Sequence, residues 1–169
     1  AILIIVMSVM NGFKKDLTDK ILGLNPHIVV QSNGFKIEND YLDRIKQEFP
    51  KFQVSKTYFG EGIIISQKNV KGVVLKGIDL DDKKNIDFLN KNVIEGSVNN
   101  LKKSTVFIGA ELAFNLNLKI GDKINLMSSS FISTPFGSIP LQETFLVSGI
   151  FNTGFYEFDQ NLIFLNLFD

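Results

Sequence analysis

An α+β domain is the fold class this sequence predicts, on three observations. A strand candidate is followed by an amphipathic helix and then by several strand-like runs, an order that separates helix from sheet. A further strand–helix–turn passage comes later in the chain. Finally, the strand-like runs 123–127 and 144–151 read as a hairpin whose connection, 128–142, is long and apolar. With 169 residues and 44% hydrophobic content, the chain can bury one good core or two small ones. Eighteen basic and 18 acidic residues cancel, which leaves no electrostatic footprint for nucleic acid. The absence of Cys excludes a disulfide scaffold and a thiolate metal site.

The first element is the apolar run AILIIVMSVM, residues 1–10. A bilayer needs about 20 such residues, so two readings stay open: a buried core segment, or the last turns of a transmembrane helix that begins upstream. The closing run NLIFLNLFD is strand-like, and truncation at both ends is expected. From Asn11 the pattern turns amphipathic, with Phe13, Leu17, Ile21 and Leu24 at helical spacing; Gly23 and Asn25-Pro26 stop it.

Residues 28–32 form a strand candidate after His27, the lone histidine, which cannot supply both a triad and a metal site. NDYLDRIKQEF predicts a helix with Asn39 as N-cap and Leu42, Ile45 and Phe49 on one face. Strands are predicted at 53–58, 62–66 and 70–78. Asp79, Asp81, Asp82 and Asp87 follow, but Lys84 and Asn90 stand where a calcium loop needs Gly and Glu, so the cluster reads as a solvated turn into a helix. TVFIG, AELAFNLNL and KIGDK then read as strand, helix and turn, with Glu111 favourably near the helix's positive end.

Hairpin loops usually take about 2–5 residues, and segment 128–142 is far longer. A disordered loop would be polar, whereas this one carries Phe131, Ile132, Phe136, Ile139 and Leu141. Pro135 and Pro140 stiffen it, and Gly137 permits a sharp turn between them. Such an arm either folds back on its own domain or offers an apolar patch to a partner; both outcomes stay open on these residues. The motifs for phosphate binding, zinc hydrolysis and serine or cysteine nucleophiles are missing, which argues against catalysis.

Three ordered stretches carry a family resemblance. SVMNGFKKDLTDKILGLNPHI resembles the end of the first transmembrane helix of the lipoprotein-releasing permeases, the LolC/LolE family of ABC transporters. VFIGAELAFNLNLKIGDKINL is similar to a strand–helix–turn–strand of that family's periplasmic domain, which is related to the MacB/FtsX core domain. STPFGSIPLQETFLVSGIF resembles its hook loop and return strand, T-P-x-G-x-I-P being the specific part.

The resemblance implies a mixed α/β porter-like subdomain with an inserted β-rich, sabre-like subdomain that bears the hook. On this sequence the divisions fall at 1–24 (membrane helix end and stalk), 25–92 (porter-like), 93–156 (sabre-like, hook 128–142) and 157–169 (return to the porter-like part). It also implies a non-catalytic permease in the bacterial inner membrane, with most of this chain in the periplasm. Its partners would be a LolA-like periplasmic carrier, a LolD-like cytoplasmic ATPase holding ATP and Mg, a second permease subunit (LolE-like or identical) and lipoprotein cargo. No cofactor is implied for this chain. Thr134, Pro135, Phe136, Gly137, Ser138, Ile139 and Pro140 match the hook, which places the chain with LolC or with the merged LolF-like form. Gln142 matches a polar pad position beneath it, and Met7, Met10 and Phe13 match a lipid entry. Glu143 and Asn125 stand where the pad is usually basic. Rival readings are a MacB/FtsX-type extracytoplasmic domain for efflux or cell-wall hydrolase control, and a soluble periplasmic adaptor.

Overall fold

The computed structural model describes residues 2–24, 26–32, 37–66, 69–135 and 137–167. The chain divides into two compact units, Ala1–Val54 and Ser55–Asp169.

The first unit begins with one uninterrupted helix, α1 (Ile2–Leu24), so the apolar run and the amphipathic stretch are a single element. Nothing breaks it before Asn25-Pro26: a side chain on Gly12 would meet open space, so that glycine is no hinge forced by packing. Its apolar residues from Ile2 to Val6 are exposed, as are Met7, Val9 and Met10. No described helix is long and apolar enough to cross a membrane; in α1, Lys14 and Lys15 follow soon after the apolar run. The expected strand at 28–32 is not one. Ile28, Val29 and Val30 are exposed, and no strand among the described residues pairs with them; a β-leaning run needs a neighbouring ladder to become a strand. Helix α2 (Asn39–Glu48) forms where expected, but its N-cap is Glu38, with no side-chain cap bond, and Asn39 is the first helical residue. Leu42 and Ile45 are half-buried on its face. Phe49 closes the helix, its N–H donating to the Ile45 carbonyl at 2.9 Å.

The second unit is built on one seven-stranded sheet: β1 (Thr57–Ser66), β2 (Asn69–Ile78), β3 (Val93–Gly96), β4 (Thr105–Gly109), β5 (Lys123–Thr134), β6 (Gly137–Phe151) and β7 (Leu162–Asn166). Between them lie α3 (Lys83–Asn92), a 3-10 turn (Val98–Asn100), α4 (Ala110–Leu116) and α5 (Tyr156–Asp159). The order is β3-β6-β4-β7-β2-β1-β5, and a further β5–β6 pairing closes six of the strands into a mixed barrel. β2–β7 and β4–β6 run parallel, and the other neighbours antiparallel.

One sequence expectation changes here. The strands expected at 53–58 and 62–66 are one strand, β1. A Cβ on Gly62 would lie 2.9 Å from the Met127 carbonyl oxygen. That glycine marks a close approach of β5 to β1. β1 and β2 share the closed sheet with β4–β7, and the break between the two units lies at Val54/Ser55. Residues 162–166 complete the barrel between β4 and β2 rather than leaving it.

Alternation along the strands places Ile64, Leu75, Val106, Ile108, Ile124, Phe145, Val147 and Ile163 in one buried cluster, and α4 adds Leu112, Ala113 and Leu116 to it. On the opposite face of the sheet α3 lays Phe88 against Phe164, whose ring also meets Phe151 edge-on at 4.8 Å. Helix α3 starts as expected: Asp82 is its N-cap and accepts from the Lys84 N–H at 3.0 Å, while Asp79 accepts from the Asp81 N–H.

Lys76 stands on β2 with its ammonium 5.2 Å from the Phe59 ring centroid and 5.8 Å from that of Phe164. Burial, with a smaller push from the charge of Lys84, lowers its pKa from 10.5 to about 8. Below that value both folded and unfolded chains hold the proton. From about 8 to 10.5 the unfolded chain alone keeps it, so this group makes stability rise with pH across that window. Urea midpoints at pH 7.5 and 10 should therefore shift upward in the wild type relative to Lys76→Met. An identical pH dependence in the two proteins would contradict the burial argument.

Candidate functional site: an exposed hairpin arm

Strands β5 and β6 pair from Lys123↔Leu146 to Met127↔Gln142, slip, and resume from Phe131↔Pro140 to Thr134↔Gly137. Segment 128–142 is therefore not a loop but the far half of the hairpin, with Pro135 at its turn. Ser, Thr, Ile and Phe at these positions suit extended backbone, and the pairing gives their amides partners that a loop would lack. Pro140 is compatible with the strand because β6 has no second neighbour there; its pairing with β4 begins at Leu146.

The slip is a bulge: β5 advances four positions from Met127 to Phe131 while β6 advances two, from Gln142 to Pro140. At the same level β5 loses its other neighbour, since its pairing with β1 ends at Gly62↔Ser128. Beyond the bulge the hairpin is a two-stranded arm leaving the barrel wall. The register places β1's beginning, β2's end and β7's end at the arm's end of the barrel.

The arm's described apolar side chains are open to solvent: Phe131 is 66% exposed, Ile139 54% and Leu141 45%. At the turn the Thr134 hydroxyl donates to the Gly137 carbonyl at 2.6 Å, and Gly137 has φ +124°, a conformation that L side chains rarely adopt. Pro135 and Ser138 are exposed, and Pro140 is half-buried. Phe136 lies outside the described residues. Of the two outcomes open from the sequence, these exposures agree with an arm offered outward.

At the arm's base Gln142, exposed, stands opposite Met127. One pair further in, Glu143 pairs with Leu126, and at the pair beyond that the Thr144 hydroxyl donates to the Asn125 amide oxygen at 2.6 Å. Asn125 is thereby held by a neutral partner, so this base carries amides, a hydroxyl and one carboxylate rather than basic groups. Met7, Met10 and Phe13 are exposed along α1 in the other unit. Spacings of three residues align them roughly along one side of that helix. Among the described residues no three His, Asp or Glu side chains gather as a metal site. The bulge and the loss of β1 at Ser128, which make an arm of the hairpin, have no signal in the sequence beyond the Ser run at 128–130.

The structure matches the extracellular domain of YknZ, an ABC-type transporter from Gram-positive bacteria, with a TM-score of 0.51 over 86% of this chain and 66% of that one, at 14% identity. Along nearly its whole length the chain is homologous to the LolC/LolE proteins. It is 26% identical over 171 residues, 99% of this chain, to the lipoprotein-releasing system transmembrane protein LolC of Xylella fastidiosa (strain Temecula1 / ATCC 700964). Against the lipoprotein-releasing system transmembrane protein LolE of Haemophilus influenzae it is 26% identical over 136 residues, 76% of this chain. The chain spans 41% of the length of the Xylella relative and 33% of the Haemophilus one. No protein-family model matches the sequence.

Proposed function

We propose that this chain is the periplasmic part of a lipoprotein-releasing ABC permease, and that the β5–β6 arm is the hook on which a LolA-like carrier docks to receive lipoprotein. The observation that carries the reading is a coincidence of motif and geometry. T-P-x-G-x-I-P, residues 134–140, falls on the end of a hairpin arm whose described apolar groups face solvent. Transfer of a lipid-modified protein requires that its acyl chains never meet water, because each exposed CH₂ costs about 0.8 kcal/mol. A carrier held at the transporter's mouth by an apolar arm meets that requirement. In this reading α1 is the end of a membrane helix, and Met7, Met10 and Phe13 line the lipid entry. ATP and Mg are held by a LolD-like subunit, and a second permease subunit completes the pair. The hook motif and the longer match to LolC favour the LolC-like or merged type over LolE.

The test is reconstitution of the full-length permease with its ATPase in proteoliposomes loaded with a lipoprotein. Release into solution is expected to need both ATP and the carrier. Replacing residues 131–140 by an Asn-Gly turn should stop release while ATP turnover continues. Release that persists in that variant would refute the hook. The permease chain alone should hydrolyse no ATP above a denatured control. A second reading, an efflux or hydrolase-control domain on the same scaffold, is favoured by the YknZ likeness; it predicts no dependence on the carrier at all.

A further inference from the structure

We infer that the gap between β1 and β5 takes up an extended segment of another polypeptide, which pairs through its main chain with both strands and joins the sheet as a further strand. The inference is independent of the hook reading. It concerns the strand edges that line this gap, not the turn of the arm.

Register defines the gap. β1 and β5 pair only from Gly62↔Ser128 to Ile65↔Asn125. Both strands continue beyond that pairing: β1 reaches back to Thr57, held on its other edge by β2, and β5 runs on past Ser128, held from Phe131 by β6. Residues 57–61 and 129–133 thus have, among the described residues, no ladder on the edges that turn toward each other. The bulge between Met127 and Phe131 bends β5 where it parts from β1. Two open edges therefore diverge from Gly62 and line one wedge.

Exposed edges are usually blunted by shortness, charge, Pro or bulges. The edge strand β3 is defended in this way, with four residues, Glu95, and a bulge between Val93 and Glu95. The β5 stretch SSSFIST has neither charge nor Pro and suits extended backbone. Main-chain donors and acceptors on both walls select a polypeptide in extended form. Since β1 and β5 are antiparallel, a strand between them runs parallel to one and antiparallel to the other. Tyr58 and Phe59, neighbours on β1 and so on opposite faces, are both exposed, as is Phe131 on β5. These rings meet apolar or β-branched side chains of the incoming strand on either face. Entry between two walls requires a segment without fixed structure of its own, such as a linker or tail, rather than a folded surface.

The test uses the full-length permease and, as probe, a capped peptide of alternating Thr and Val, about six residues long, read by amide hydrogen exchange. Without peptide, the amides in 57–61 and 129–133 that face the gap should exchange fast. In millimolar peptide both stretches should slow by about tenfold or more. Peptides N-methylated along one edge, or along the other, lose that edge's donors, and each should fail to protect either stretch. Protection of one stretch alone, or a methylated peptide that protects as well as the parent, would overturn insertion between the strands. So would a parent peptide that protects nothing. Amides already slow without peptide would overturn it too, because the permease itself would then fill the gap. None of these results bears on carrier binding, so the hook reading stands or falls separately.

Discussion

Phe136→Asp is expected to abolish carrier binding by the full-length permease while leaving its melting temperature unchanged. Phe136 is the aromatic residue of the T-P-x-G-x-I-P run, between Pro135 and Gly137 in the sequence. Interface energy concentrates in a few buried aromatic anchors, and losing one costs about 2–4 kcal/mol. That corresponds to a loss of roughly 30- to 1,000-fold in affinity, and the carboxylate adds a desolvation cost in an apolar site. The fold should not notice, because the arm's neighbouring apolar residues contribute exposed rather than core area. Gln142→Ala should weaken binding far less, since one rim hydrogen bond is worth about 0.5–1.5 kcal/mol. Calorimetric titration with the carrier, paired with a thermal melt, tests both variants. A well-folded Phe136→Asp protein that binds as tightly as wild type would sink the hook.

Asp159→Ala should instead damage the fold and leave the arm's own contacts alone. Asp159 is almost wholly buried, 3% exposed, at the end of α5. Its Oδ1 accepts from the Thr153 N–H at 2.9 Å and from the Thr153 hydroxyl at 2.8 Å, and its Oδ2 from the Gly154 N–H at 3.2 Å. Removing the carboxylate affects these donors unequally. Gly154 retains the Asn152 side-chain oxygen at 2.8 Å, and the hydroxyl can rotate, but no other acceptor is evident for the Thr153 amide. One stranded buried donor costs about 1–3 kcal/mol, and the vacated volume adds to it. A loss of about 2–4 kcal/mol, read from urea unfolding of the variant, is the expected result. Asp159→Asn keeps an oxygen for both Thr153 donors and should lose only about 1 kcal/mol. Equal losses for the two variants would show that volume, not hydrogen bonding, holds this loop. Gly109 bears on the same joint: a Cβ there would run into the Asp159 backbone, so β4 and α5 can meet only over a glycine.

Much of this protein is legible without its structure because the signals are local. Helix α2, the turn into α3, strand β4 and the start of α4 all follow from periodicity and turn chemistry that act within a few residues. The arm's stiffness and apolar character are likewise written in Pro135, Gly137, Pro140 and the Phe and Ile residues around them. The T-P-x-G-x-I-P run is equally a property of the sequence. Tertiary structure decided what depends on distant neighbours. Residues 28–32 have strand composition but no ladder to join among the described residues, whereas 57–66 became one strand through β2 and β5 on either side. The nearness of Met127 shows why Gly62 in β1 lacks a side chain. The β1–β5 and β2–β7 pairings join residues on either side of position 92/93, and β5–β6 pairing closes the barrel. It also determines that 128–142 extends as a ladder rather than a loop. A bulge and the departure of β1 then uncover that ladder on both faces. Neither event has a local cause in sequence, since each depends on which strands run out of partners first.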